Sequence, residues 1–140
     1  MPTLFTRIID GDIPATFVWR DDRCVAFMSI NPLRAGHVLV VPREEVDHWV
    51  DCPAELRAHL MDVAATVGTA LHRVYEPEKV GLMIAGLEVP HLHIHLVPID
   101  GVRDLDFANA ASSVTREELE QEATSIRQEL KTMGAGGVVD

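Results

Sequence analysis

His91-Leu92-His93-Ile94-His95-Leu96-Val97-Pro98 alternates imidazoles with apolar side chains, the period of a β-strand. Residues two apart on a strand point to the same face. His91, His93 and His95 are therefore expected to line one face, about 7 Å apart. Leu92, Ile94 and Leu96 turn the other way, toward a core. Pro90 and Pro98 bracket the run, and proline suits strand ends because it lacks a ladder donor. A plain core segment explains one histidine but not three in register, since every buried ring needs a polar partner. Two functional readings remain, a metal site and a phosphate-handling catalytic site. His-x-His on one face can bind zinc. The third ring lies too far along a straight strand to join the same ion easily. A row of imidazoles along an extended anionic substrate fits the spacing better.

Composition sets the frame around that run. The chain has 140 residues, 47% of them hydrophobic, enough for one domain with one core. Its 22 acidic and 12 basic residues leave a net charge of -10. That balance argues against nucleic-acid and anionic-membrane partners, which need basic surface, but allows a local pocket for one phosphate. Met1 to Arg7 has no charged segment followed by an apolar run, and no stretch is long enough to span a membrane. Cys24 and Cys52 match no zinc or redox spacing and read as reduced thiols of a cytoplasmic protein.

The elements follow from periodicity. Leu4, Phe5, Ile8 and Ile9 form a helical patch broken by Asp10-Gly11-Asp12. Phe17–Arg20 and Cys24–Ile30 read as a hairpin, and His37–Pro42 as a buried strand. Pro53 suits the first position of a long helix capped by Asp51 or Cys52, with Leu56, Leu60, Val63, Val67, Leu71 and Val74 on its apolar stripe. His59 and His72 are placed on its solvated side. Lys79–Ala85 reads as a strand leading into the histidine run. Residues 102–113 show no clean period and read as a loop over the site or over a partner subunit. Thr115 and Glu118 make a capping box for a final helix with the stripe Leu119, Ala123, Ile126 and Leu130. The resulting division is a main domain over residues 1–112, a C-terminal helix over 113–133 and a flexible tail over 134–140. Adjacent strands with short connections favour an α+β fold, an antiparallel sheet with helices on one face.

The His-φ-His-φ-His-φ-φ run resembles the defining motif of the histidine triad (HIT) family of nucleotide hydrolases and transferases. Ala85-Gly86-Leu87-Glu88-Val89-Pro90 before it resembles actinobacterial-type members. The resemblance implies a five-stranded antiparallel sheet with helices packed on it, two subunits pairing into a ten-stranded sheet, and hence a homodimer. It implies that His93 forms a nucleotidyl-histidine intermediate, its ring oriented by the backbone carbonyl of His91. His95 and His37 would steady charge on the α-phosphate, His91 would assist the leaving group, and no metal or other cofactor is needed. Leu4, Phe5 and Ile8, with Phe27, Ser29, Ile30, Leu39 and Glu88, make up the expected nucleotide site.

Several positions depart from the family pattern. Ser29 stands where a ribose-binding Asp is usual, Ala85 where an Asn is frequent, and Glu88 where a Ser or Thr contacts phosphate. Glu88 either donates a proton to a leaving amine or alcohol, or points away. Thr3 and Thr6 stand where some branches carry a zinc-binding Cys-x-x-Cys, and threonine is not a usual zinc ligand, so no structural zinc is expected. The implied activity is cleavage at the α-phosphate of a nucleoside phosphoramidate or small nucleotidyl conjugate, releasing a nucleoside monophosphate. A dinucleoside polyphosphate hydrolase, a metalloprotein using the same histidines, and a nucleotide-binding protein with little turnover are the alternatives.

Overall fold

The computed structural model describes all residues, 1–140. In chain order its elements are α1 (Leu4–Ile9), β1 (Phe17–Arg20), β2 (Cys24–Met28), β3 (Val38–Pro42), α2 (Ala54–Tyr75), β4 (Lys79–Met83), β5 (Ile94–Ile99) and α3 (Arg116–Thr132). Short 3-10 turns occupy Trp49–Asp51, Val102–Leu105 and Phe107–Asn109. The five strands form one sheet in the order β1-β2-β3-β5-β4, antiparallel throughout.

The pleat divides the sheet's side chains between two environments. Cys24, Ala26, Met28, Val38, Val40, Ile94 and Leu96 face α2 and α3 and share their core. Val25, Phe27, Leu39 and Val41 face the other way, onto Phe5 and Ile8 of α1. Register carries this pattern across three strands: Phe27 pairs with Leu39, and Leu39 with His95. The helices therefore do not all share one face, because the apolar pair Phe5 and Ile8 needs a surface that α2 and α3 leave free.

The histidine run differs from a continuous strand. Leu92, Ile94 and Leu96 do enter the core, but the ladder begins only at Ile94. The reason lies in β3, which ends at Pro42, a residue without an N–H to offer. The Leu92 amide donates instead to the Val46 carbonyl at 2.7 Å. Pro98 does not close the strand but lies inside it, opposite Val80. Its missing donor costs little there, because β3 starts at Val38, which pairs with Leu96, and does not reach that far.

Other expectations need correction at their ends. The cap of α2 is Pro53 itself, and neither Asp51 nor Cys52 caps it with a side chain. At α3 the Thr115 hydroxyl accepts from the Glu118 amide at 3.1 Å, while Glu118 makes no bond back, so only half of the capping box forms. The stripe Leu119, Ala123, Ile126 and Leu130 is buried against α2 and the sheet, in the same core. Within residues 134–140, expected as a tail, Gly137 to Val139 run along β1. The Gly137 carbonyl accepts from Arg20 at 2.8 Å, the Val139 amide donates to Val18 at 3.3 Å, and Val138 bridges to Trp19. No other strand pairs with the outer edge of β1, and the tail occupies it. The close approach requires glycine at 137, where a Cβ would lie 2.3 Å from the Trp19 indole.

No helix is long and apolar enough to cross a membrane.

Candidate active site

His37, His93 and His95 come together at the mouth between α1 and the sheet, with His91 buried beside them. Gly36 turns the chain into β3 with φ +86°, and a Cβ there would meet the Tyr75 ring at 2.5 Å. This turn delivers His37 beside His95. The rings of His37 and His95 lie 5.2 Å apart, those of His93 and His95 5.0 Å apart, and Phe5 stands edge-on to His93 at 4.9 Å. All three triad histidines and His37 are buried, and every buried side-chain nitrogen and oxygen has a partner.

Donor and acceptor accounting assigns each neutral ring its proton. The Leu33 amide donates to His37 Nδ1 at 3.0 Å, so the proton of His37 is on Nε2. His37 Nε2–H then donates to His95 Nδ1 at 2.9 Å, which places the proton of His95 on its own Nε2. His93 runs the opposite way. Its Nδ1–H donates to the His91 carbonyl at 2.8 Å, leaving Nε2 with a lone pair. Burial holds His95 neutral, its pKa lowered to about 4, with His93 adding a smaller repulsion. Burial likewise lowers His37 to about 3, helped by the neighbouring His95 and His93. Two adjacent rings thus present a lone pair and an N–H.

The cavity in front of them has a volume of about 410 Å³. His37, His93 and His95 line it, as do all of Leu4, Phe5, Ile8, Phe27, Ser29, Ile30, Leu39 and Glu88. Leu4, Ile30 and Glu88 are exposed at its rim, while Phe5, Ile8, Phe27 and Leu39 form its buried wall. Ser29 Oγ accepts from the Asn31 amide at 3.2 Å and keeps its own proton for a ligand. The one formal charge in the lining is Glu88.

His91 is the exception. Its ring is fully buried and does not line the cavity. Nε2–H donates to the Pro42 carbonyl at 2.7 Å, and Nδ1 lies 2.6 Å from the Thr3 hydroxyl. Both nitrogens are engaged away from the pocket, so His91 is not placed to assist a leaving group. Its contribution is the backbone carbonyl that holds His93.

Sequence reasoning missed Ile13, Asn31, Val89, Phe107 and Ala110, which with Pro14, Ala15 and Met28 complete the lining. Phe107 sits edge-on to His95 at 5.3 Å. It is held there by a segment pinned through Ala111, which bonds Pro32 and Asn31, and through Asp104, which pairs with Arg34. The aperiodic stretch 102–113 therefore lies over this chain's own site. His59 is also not simply solvated: its Nε2 lies 2.8 Å from Asp21 Oδ2. Asp21 collects the Trp19 indole N–H at 2.9 Å and the Cys24 thiol at 3.6 Å as well. Hydrogen bonds from Trp19, Arg23, Cys24 and His59 outweigh burial and hold the Asp21 carboxyl far below its usual range. Burial raises the Cys24 thiol, with the Asp21 charge adding to it, so Asp21 is a carboxylate surrounded by donors.

A family model described as the HIT domain matches residues 10–102. An uncharacterized HIT-like protein of Borreliella burgdorferi is 32% identical over 102 residues, spanning 68% of this chain and 73% of that protein. An adenylylsulfatase of Arabidopsis thaliana is 25% identical over 130 residues, 88% of this chain and 64% of that protein. Among solved structures, a Hit-like protein from Bartonella henselae superposes with a TM-score of 0.78 at 26% identity, covering 91% of this chain and 95% of that one.

Proposed function

The chain belongs to the HIT domain family, and from that premise we propose that it hydrolyses nucleoside phosphoramidates or small nucleotidyl conjugates at the α-phosphate. The observation that carries the reading is the pair of contacts, His37 Nε2 to His95 Nδ1 and His93 Nδ1 to the His91 carbonyl, that support opposed protonation of His93 and His95 at one cavity wall. His93 Nε2 attacks phosphorus and the bond to the leaving nitrogen breaks, the amine departing with a proton from water. His95 Nε2–H, backed by His37, donates to an oxygen of the α-phosphate as charge builds, a role often worth several kcal/mol, about 3 in comparable sites. Water then cleaves the nucleotidyl-histidine and releases the nucleoside monophosphate, and His93 recovers its lone pair.

The apolar wall of Phe5, Ile8, Phe27 and Leu39 suits a nucleobase. The cavity volume suits one nucleotide. With Glu88 as the one charge in the lining, a dinucleoside polyphosphate finds no cation to meet its extra phosphates. That favours the phosphoramidate over the polyphosphate, and a relative named an adenylylsulfatase supports an adenylyl substrate. Thr3 and Thr6 offer neutral hydroxyls in place of thiolates, which supports chemistry without zinc. The segment Ala85–Pro90 supports kinship with actinobacterial-type members, and the free buried thiols Cys24 and Cys52 support a reducing, cytoplasmic setting. The test is a comparison of kcat/KM for an adenosine phosphoramidate and a diadenosine polyphosphate. The phosphoramidate should be the better substrate; turnover of the polyphosphate alone would reverse the assignment.

A further inference from the structure

The N-terminal helix reaches the catalytic strand through one hydroxyl. Thr3 Oγ1 lies 2.6 Å from His91 Nδ1, across 88 positions of sequence. Because a carbonyl only accepts, the Pro42 contact puts the proton of neutral His91 on Nε2, and Nδ1 must accept. Burial lowers the His91 pKa, against smaller opposing effects of the Pro42 carbonyl and Glu45, so the neutral form prevails. The proton shared with Nδ1 therefore belongs to Thr3.

That hydroxyl has a second task. It accepts from the Thr6 amide at 3.1 Å, which caps α1. Its oxygen also lies 3.2 Å from the Thr6 hydroxyl. The Glu45 carboxylate accepts from the Thr3 amide at 2.7 Å and fixes the residue from outside. Phe5, two residues on, packs edge-on to both His91 and His93. We propose that Thr3 is a positioning residue for the reaction: by donating to His91 Nδ1 it locks the His91 ring between α1 and β3, and so fixes the carbonyl that aims His93.

The proposal rests on His93 as nucleophile, but one of its readouts does not. Ring-nitrogen NMR of the full chain reports the His91 tautomer without any substrate. Thr3→Ser keeps donor and cap, Thr3→Val removes both, and Thr3→Asp keeps the cap while replacing the donor with an acceptor. Thr3→Val should lower kcat on an adenosine phosphoramidate about ten- to hundredfold with KM within about threefold, since small misplacements act on the chemical step. Thr3→Ser should restore it. Thr3→Asp should stay folded, lose kcat similarly, and show a His91 ring protonated on both nitrogens. A folded Thr3→Asp protein with normal kcat and an unchanged His91 spectrum would overturn the proposal, as would equal losses in Thr3→Ser. If no variant or wild type turns over the substrate while the spectra shift as stated, the functional reading fails and the Thr3–His91 coupling stands.

Discussion

His37 Nε2 lies 2.9 Å from His95 Nδ1, and this contact decides which nitrogen of His95 faces the cavity. A ring beside His95 sets the donor that His95 presents, as outer partners do for metal-bound histidines. His37→Ala should lower kcat about ten- to hundredfold, the usual cost of losing such a partner. Steady-state kinetics on an adenosine phosphoramidate check it. His37→Gln, whose amide can donate to His95, should recover part of the loss.

The same pair makes stability depend on pH. Unfolded histidines take up protons near 6.5, while folded His95 and His37 resist until about 4 and about 3. Between those limits the unfolded chain binds more protons, so stability is fully present above 6.5 and drains away as pH falls toward 4. Urea midpoints measured from pH 7 to 4 should fall in the wild type. The fall should be shallower in His37→Phe, which removes one of the rings that burial holds neutral.

How much of this was legible from the chain alone depends on whether local pattern or distant contact decides. Alternation placed His93 and His95 on one face because the pleat repeats every two residues regardless of context. The stripes from Leu56 to Leu71 on α2 and from Leu119 to Leu130 on α3 are buried as read, because residues three and four apart share a helix face. Phe107, Asn31 and the pinned tail gave no periodic signal, since loop contacts depend on which distant residue happens to lie opposite. His91 misled for a subtler reason. It shares the triad's spacing, but the ladder stops at Pro42, and nothing local says that both ring nitrogens will find partners, one at the end of β3 and one at the start of α1.

Ser29 lines the cavity where a family carboxylate would hold the ribose. Ser29→Asp keeps an acceptor for the Asn31 amide, now met at 3.2 Å, and adds a charged one for a sugar hydroxyl. Adenosine monophosphate should bind about three- to tenfold tighter by calorimetry, the scale of one charge-assisted bond. A 2′,3′-dideoxy analogue should show no gain.

The tail covers β1, so β4 is the sheet's open edge. Leu82 on β4 and Met61 on α2 stand exposed beside it at 42% and 50%. Unpaired strand edges with apolar flanks invite pairing, and a second copy of β4 would extend the sheet to ten strands. Sedimentation should show a dimer for the wild type and a monomer for Leu82→Asp.

The most direct test of the account is mass analysis of the protein quenched during turnover of an adenosine phosphoramidate. The account predicts one added nucleoside monophosphate unit on His93, absent in His93→Ala and absent from His91, His95 and His37. Turnover with no covalent adduct at any time point, or an adduct on another residue, would contradict it.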